Sequence, residues 1–217
     1  MKAILCKEYG PAETLVIEDV PSPKMGDRGV KIRVKAAGLN FPDTLIIEGK
    51  YQLQPPMPFS PGGELAGEVI EVGEKVTRFK PGDRVAALTG FGAFAEEVVA
   101  PESNLLPIPD NMPDEKAAGF MMVYGTSYYA LKQRANLQPG ETLLVLGASG
   151  GVGLAAVELG KAMGAKVIAA ASSSEKLRIA KDAGADELIN YTDEPLKDAV
   201  KKPVSYTHLT LPTNREV

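Results

Sequence analysis

Glu141-Thr-Leu-Leu-Val-Leu-Gly-Ala-Ser-Gly-Gly-Val-Gly153 is the stretch of sequence that decides the fold. Its apolar run, Leu143 to Leu146, is typical of a strand that is buried on both faces of a parallel sheet. The glycines that follow lead into a helical segment at residues 154–163, and a second apolar strand occupies residues 166–171. Strand, glycine turn, helix and strand in this order predict a βαβ unit of the dinucleotide-binding type.

The glycine turn also predicts which residues would contact a nucleotide. Glycine lets the backbone approach a pyrophosphate, whose charge is stabilised by the free amide groups at the start of the following helix. The predicted cofactor-binding residues of the turn are Gly147, Ser149, Gly150, Gly151, Val152 and Gly153. A purely structural turn is the alternative, because any tight connection between strand and helix favours glycine.

Composition and charge exclude several classes of protein. The 217 residues are 44% hydrophobic and 24% charged, as in an ordinary globular protein. The net charge of −4 argues against nucleic acid or an anionic membrane as a partner. No apolar run reaches membrane-spanning length, and the first residues lack the apolar segment of a signal peptide. With Cys6 as the single cysteine, which fits a reducing compartment, these features predict a cytoplasmic protein.

The sequence contains few of the residues that bind metals or act as nucleophiles. The sequence contains one histidine, His208, besides its one cysteine. Zinc clusters of Cys and His, Cys-His dyads and Ser-His-Asp triads therefore lack parts. We predict no metal site, and we expect a bound cofactor to supply the chemistry.

The two halves of the chain have different patterns. Short strands punctuated by proline and glycine predict a β-barrel-like first half, at residues 2–6, 15–17, 30–36, 67–73, 85–88 and 94–100. A helix is predicted over residues 114–133, with the domain boundary near residue 120. Beyond it, predicted strands alternate with predicted helices and indicate a parallel sheet, with strands at 141–146, 166–171 and 187–189 and helices at 151–163 and 174–183.

Several motifs in the same order resemble the medium-chain dehydrogenase/reductase family, in particular its zinc-free, zeta-crystallin-like quinone oxidoreductase branch. They are Ala37–Asp43, Pro61–Gly67, Lys80–Val85, Gly125-Thr126, Gly147–Gly153 and Gly184–Asp186. The resemblance implies an α/β fold in two domains. A GroES-like β-barrel catalytic domain is expected at residues 1–120, and a partial Rossmann domain, which binds NADPH on a parallel βαβ sheet, at residues 121–203.

The chain departs from zinc-dependent members of that family. They carry a cysteine where this chain has Leu39-Asn40, and Gly-His-Glu where it has Gly62-Gly63-Glu64. Without these soft ligands, no catalytic zinc is expected. For Glu64 we predict a hydrogen bond or salt bridge within its own domain rather than a catalytic role.

The resemblance also implies roles for individual residues. Asn40 is expected beside the nicotinamide, in both catalysis and cofactor binding, although it could merely cap a turn. Tyr51 corresponds to a family tyrosine near the substrate, although an exposed loop tyrosine is an equally good account. Thr126 corresponds to a threonine that contacts the cofactor, with simple helix packing as the alternative. Asp43 is predicted to be the N-cap of a short helix that starts at Thr44.

The end of the second predicted strand bears on the type of cofactor. NAD-binding enzymes place an acid there to hold the ribose hydroxyls, but Ala171 is followed here by serines. Ser172 and Lys176 could receive the 2′-phosphate of NADPH, as could Tyr191, which corresponds to a family tyrosine in that role. Ser172 and Glu175 also have capping-box spacing, which predicts a helix start at the same place.

The resemblance implies an NADPH-dependent, zinc-independent reductase of quinones or other conjugated carbonyls. A small-molecule substrate and a homodimeric full-length parent are expected. An enoyl-thioester reductase is the alternative enzyme, and a crystallin-like protein that binds NADPH without catalysis is the alternative from another class.

The resemblance ends near Lys202. Residues 204–213, Val-Ser-Tyr-Thr-His-Leu-Thr-Leu-Pro-Thr, are instead similar to one reading frame of a transposon-end adapter used in sequencing. We therefore expect a C-terminally truncated chain with a non-native tail at residues 204–217. Such a chain is expected to be poorly soluble and inactive alone, so that the function belongs to a full-length parent.

Overall fold

The computed structural model describes residues 1–193 and 195–201. The chain divides into two compact units, with the division between Met122 and Val123. The tail expected at residues 204–217 lies outside the described residues. Among the residues that are described, no helix has the length and apolar character needed to cross a membrane.

An antiparallel sheet of five strands forms the centre of the first unit, all of which is described. In spatial order the strands are β6 (Glu97–Pro101), β3 (Gly29–Gly38), β4 (Glu64–Val72), β5 (Arg84–Leu88) and β7 (Leu105–Pro107). A separate hairpin pairs β1 (Lys2–Leu5) with β2 (Val16–Asp19). Helix α1 (Phe41–Ile47) follows β3 directly. The short strands predicted for the first half are therefore present.

The alternation of apolar and charged residues that predicts β3 matches the observed alternation of more buried and more exposed residues along that strand. Val30 and Ile32 are fully buried and form one apolar core with Leu65, Val69 and Val85 of the neighbouring strands.

The five-stranded sheet of the first unit stays open within residues 1–122. Its edge strands β6 and β7 are not paired with each other. Both of them end in a proline, Pro101 and Pro107. Proline has no amide hydrogen to donate to a further strand, which explains why it is confined to the edges of sheets.

The predicted helix over residues 114–133 is wrong in its continuity. The chain forms α2 (Asp114–Ala117), a turn at residues 118–120, α3 (Met121–Tyr128) and then a π-helical segment, Tyr129–Arg134. The turn packs against the end of β3. A Cβ atom on Gly38 would lie 2.3 Å from the carbonyl oxygen of Ala118. This contact with a distant strand is not visible in the local helical pattern.

The described part of the second unit contains a three-stranded parallel sheet in the order β10 (Glu187–Asn190), β9 (Lys166–Ala171), β8 (Thr142–Leu146). Its helices are α4 (Gly151–Ala162), α5 (Ser174–Asp182) and α6 (Leu196–Lys201). Leu143 and Val145 point into one apolar cluster, whereas Leu144 and Ile168 belong to another. The sheet is thus buried on both faces, and the predicted α/β class is confirmed.

Asp186 fastens the loop between α5 and β10. Its carboxylate accepts hydrogen bonds of 2.8 Å from Lys161 Nζ and of 2.7 Å from the amide of Val167. Partial burial opposes ionisation of this group. The hydrogen bonds from Lys161 and Val167 and the charges of Lys161 and Lys181 nevertheless hold the pKa of Asp186 below its usual value.

Replacing Asp186 by Asn should lower the free energy of unfolding by about 1–2 kcal/mol at pH 7. Charge-assisted hydrogen bonds contribute about 1.5–3 kcal/mol, and the partial exposure of this pair reduces the effect. Because the folded-state pKa is the lower one, the contribution is present above the unfolded pKa of about 3.9. It is lost as the pH falls through the folded-state pKa.

Urea denaturation of wild type and variant at pH 7 and at successively lower pH measures this difference. Asp182→Asn, at an exposed position of α5, is the matched control and should have little effect. A difference between Asp186→Asn and wild type that persists unchanged into acid would contradict the assignment.

Candidate functional site

The glycine turn exposes backbone at the end of β8. Gly147 has a φ of +61°, and its carbonyl accepts a hydrogen bond of 3.0 Å from the amide of Gly150, the N-cap of α4. The first amide groups of an α-helix have no carbonyl partner within that helix, and Gly150 has no side chain to supply one. Gly147, Gly150 and Gly151 are exposed, and Ser149 and Val152 are half-buried. The start of α4 therefore offers hydrogen-bond donors and a positive dipole end to an anion.

The packing of the protein requires glycine at some positions of this turn but not at others. A Cβ atom on Gly153 would lie 2.3 Å from the carbonyl oxygen of Gly147, so only glycine fits there. On Gly151 it would lie 3.0 Å from a methyl group of Val123, a tight contact. On Gly150 the nearest atom would be 3.5 Å away, an ordinary contact. A structural turn accounts for Gly153, whereas the openness at Gly150 favours a ligand.

Helix α3 supports the start of α4 through a residue that the sequence analysis missed. The buried hydroxyl of Ser127 donates a hydrogen bond of 2.8 Å to the carbonyl oxygen of Val152. The neighbouring Thr126, which was predicted to contact the cofactor, is exposed. Ser127 lies four positions after Val123, which faces Gly151, and residues four apart share one face of a helix. That spacing is the signal that could have identified Ser127.

Tyr124 and Glu158 make a second link between α3 and α4. The Tyr124 hydroxyl donates to the Glu158 carboxylate. This hydrogen bond, together with burial and the negative charge of Glu158, raises the pKa of Tyr124 to about 12. Tyr124 therefore stays protonated at neutral pH.

The carboxyl end of β9 carries the residues predicted for a 2′-phosphate. Lys176 Nζ donates to Ser172 Oγ at 3.2 Å, so the structure brings these two side chains together. The predicted capping role of Ser172 is wrong. Ser173 is the N-cap of α5, because its side chain, one residue later, accepts the amide of Lys176 at 3.3 Å.

Tyr191 and Thr192 complete this edge of the sheet. The amide of Tyr191 donates to the carbonyl oxygen of Ala171 at 3.2 Å, and its half-buried ring packs on the apolar cluster around Ile189. Thr192 was not predicted. Its hydroxyl lies 3.3 Å from the carbonyl oxygen of Ser172, which connects the loop after β10 to the end of β9.

In the first unit, Asn40 is the N-cap of α1 and is held at both its backbone and its side chain. Its amide N–H donates to Asp43 Oδ2 at 2.8 Å, and its side-chain Nδ2 donates to Glu64 Oε2 at 2.9 Å. The helix begins at Phe41 rather than at Thr44. The predicted N-cap role of Asp43 is therefore wrong, because Asp43 is the third residue of the helix and reaches back to the true N-cap.

Asp43 also fixes the glycine loop before β4. Its buried carboxylate accepts the amide of Gly63 at 3.0 Å. Burial raises the pKa of Asp43, and the amides of Asn40, Gly63 and Gly62 act in the opposite direction.

Glu64 is fully buried, and both of its oxygens accept hydrogen bonds. Oε2 is bonded to Asn40, and Oε1 accepts the amide of Met122 in the first turn of α3 at 2.9 Å. The predicted hydrogen bond of Glu64 within its own domain is confirmed. Within residues 1–193 and 195–201, no group of three or more His, Cys, Asp or Glu side chains could hold a metal ion.

Tyr51 lies on the loop after α1, and 37% of its surface is exposed. The structure does not join it to Asn40 by a hydrogen bond. Leu39 and Phe41, on either side of Asn40, are 76% and 70% exposed. The loop around Asn40 thus presents apolar side chains next to one polar amide.

Two alanine substitutions in the glycine turn should separate folding from ligand binding. Gly153→Ala should reduce the free energy of unfolding by roughly 1–3 kcal/mol, because its methyl group meets the Gly147 carbonyl. Gly150→Ala should leave stability within about 0.5 kcal/mol but weaken NADPH binding, because its methyl group lies where a phosphate would approach. Chemical denaturation and titration of NADPH fluorescence measure the two effects. Unchanged NADPH binding by Gly150→Ala would favour the purely structural turn.

Comparison with known proteins finds one matching family model in each of the two units. Residues 26–110 match the family described as alcohol dehydrogenase GroES-like domain, and residues 151–208 match the family described as zinc-binding dehydrogenase. The chain is 47% identical over 204 residues to the quinone oxidoreductase-like protein 2 homolog of Nematostella vectensis, covering 93% of this chain and 55% of that protein. It is 43% identical over 213 residues to the quinone oxidoreductase of Pseudomonas aeruginosa, covering 94% and 65%.

A solved structure is similar over the same part of the chain. The Escherichia coli quinone oxidoreductase complexed with NADPH aligns with a TM-score of 0.87 at 33% identity, covering 93% of this chain and 62% of that one. The chain thus spans less than two thirds of the length of these relatives. The two matched domains follow each other along the chain in the same order as the sequence motifs that resemble the medium-chain dehydrogenase/reductase family. The chain belongs to the medium-chain dehydrogenase/reductase family.

Proposed function

We propose that the protein is an NADPH-dependent, metal-free reductase that transfers hydride to quinones or other conjugated carbonyls. One observation carries the proposal. The open amides at the start of α4 and the Lys176–Ser172 pair lie at the carboxyl ends of two adjacent parallel strands, β8 and β9. In open α/β sheets, ligands bind outside this edge. Relatives named quinone oxidoreductase and a solved neighbour that contains NADPH support the same function.

Each of these groups has a stated task in the proposal. The amides of Gly151, Val152 and Gly153 would bind the pyrophosphate, and Lys176 with Ser172 would bind the 2′-phosphate through a charge-assisted contact. The bound nicotinamide supplies the hydride. Asn40 would orient a ligand in the first unit. Because Tyr51 is exposed, a proton for the reduced product could come from this tyrosine or from water.

Zinc does not fit the residues that are present. At the positions where zinc-dependent relatives carry Cys and His, this chain has Leu39-Asn40 and Gly62-Gly63. Asn40 and Glu64 are bonded to each other, and an amide nitrogen that donates to a carboxylate is not a soft zinc ligand. The proposed reduction therefore takes no step through a metal ion. A homodimer remains a prediction from the family resemblance, and a cytoplasmic location remains a prediction from the composition and the single cysteine.

In the full-length parent, Lys176→Ala should raise KM for NADPH by about tenfold or more and leave KM for NADH nearly unchanged. A charge-assisted contact to phosphate contributes roughly 1.5–3 kcal/mol, and only NADPH carries the 2′-phosphate. Steady-state kinetics with a quinone and with an enoyl thioester measures KM for both cofactors and identifies the preferred substrate. Arg178→Ala, at another exposed position of α5, is the control. An equal loss with both cofactors would contradict the assignment.

Dialysis of the full-length parent against a strong chelator should leave its reductase activity unchanged. The residues that hold zinc in relatives are replaced here, so there is no catalytic metal to remove. Activity and metal content are measured before and after dialysis. A loss of activity that added zinc restores would show that the site has been misinterpreted.

A further inference from the structure

The peptide group between Val152 and Gly153, in the first turn of α4, is bonded on one side and open on the other. Its carbonyl oxygen accepts the hydrogen bond of 2.8 Å from the Ser127 hydroxyl, and helix geometry directs the amide of Ala156 to the same oxygen. Its N–H belongs to Gly153 and has no acceptor within the part of the chain that the structure describes. The protein therefore satisfies the carbonyl twice and leaves the N–H to something else.

The open N–H is unusual because Gly153 is a buried residue. Nearly all buried backbone N–H groups in proteins have a partner, so an open one indicates a water molecule or a ligand. The first hydrogen bond of the helix runs from Leu154 to Gly150 at 2.7 Å, and the Gly153 N–H lies one residue ahead of it. Gly150 and Gly151 are exposed there and have no side chain to obstruct a phosphate oxygen.

Ser127 changes the strength of this open donor. A hydrogen bond to a peptide oxygen draws electron density from the nitrogen of the same peptide, so its N–H becomes a stronger donor. Ser127 is only 2% exposed, which keeps water from competing for its hydroxyl. The low dielectric constant of such surroundings increases the effect of the hydrogen bond on the peptide.

The other contacts between α3 and α4 do not act on this peptide. Tyr124 donates to the side chain of Glu158, about two turns further along α4, and Val123 lies near Gly151 without a hydrogen bond to its backbone. These contacts hold the two helices together but leave the polarity of the Val152–Gly153 peptide unchanged. A structural role for α3 and a specific role for Ser127 can therefore be separated.

We propose that Ser127 is a positioning residue for the cofactor, which fixes the Val152–Gly153 peptide and strengthens the Gly153 N–H as a donor to the pyrophosphate. Ser127 does not itself contact the cofactor, because its buried hydroxyl is bonded to the opposite end of that peptide. All of these residues lie in the second unit. The inference rests on the proposed function, since it assigns one more residue to the binding of NADPH.

Ser127→Ala and Tyr124→Phe form a matched pair, because each removes one hydrogen bond from α3 to α4. Adjacent hydrogen bonds strengthen one another by roughly 10–30%, and Ser127→Ala also releases the peptide. In the full-length parent, Ser127→Ala should raise the Kd for NADPH and for NADH equally, by about two- to tenfold. The Kd for adenosine 2′-monophosphate, which has no pyrophosphate, should not change. Tyr124→Phe should leave all three Kd values unchanged.

Fluorescence titration measures Kd for the two dinucleotides, and calorimetric titration measures it for adenosine 2′-monophosphate. The thermal unfolding midpoint reports whether each variant is folded. Ser127→Thr keeps the hydroxyl and should bind NADPH within about twofold of the wild-type Kd. If Ser127→Ala does not fold, Ser127→Cys replaces it with the same expected direction, since a thiol is a weaker donor than a hydroxyl.

A wild-type Kd for NADPH in the folded Ser127→Ala variant would overturn the proposal. An equal loss of affinity for all three ligands, or the same loss in Tyr124→Phe, would also overturn it, because either result gives Ser127 a structural role alone. Wild-type protein that binds neither NADPH nor NADH would instead refute the proposed function, and this inference with it.

Discussion

The buried carboxylate of Glu64 is the constraint on which the first unit depends. Removing a charge from water costs several kcal/mol unless hydrogen bonds replace the lost solvation. Asn40 and Met122 supply these bonds, and in doing so they connect β4 with the first turns of α1 and α3. Gly38 is part of the same constraint, because a side chain there would collide with the Ala118 carbonyl and would lie 3.1 Å from Glu64 Oε2.

The second unit is organised by backbone groups rather than by a buried charge. Its parallel strands end at one edge, where the glycine turn exposes the amides of α4 and where Lys176 adds a positive side chain. Helix α3 contacts α4 through two hydrogen bonds, from Ser127 and Tyr124, and through the packing of Val123 near Gly151. In the first unit, Asn40 instead lies beside two carboxylates, those of Asp43 and Glu64.

The two units thus solve different problems of solvation, one with backbone amide groups and the other with buried carboxylates. An anion is best met by groups that are already desolvated and aligned, as at the start of a helix. Asp43 and Glu64 of the first unit instead accept hydrogen bonds from neutral amide groups, which replace the water that burial removes from the two carboxylates. Gly63 takes part in this network through its backbone amide, which donates to Asp43.

The sequence by itself determined the βαβ unit, the glycine turn and the alternating strand β3. These features depend on the period of apolar residues and on turn chemistry, which act between residues close in the chain. Only the tertiary structure decided the break before Met121, the open edges of the five-stranded sheet and the contact of Ser127 with Val152. Glu64 is 24 residues from Asn40 and 58 from Met122. Contacts at such separations depend on how elements pack against each other, and local patterns carry no information about that packing.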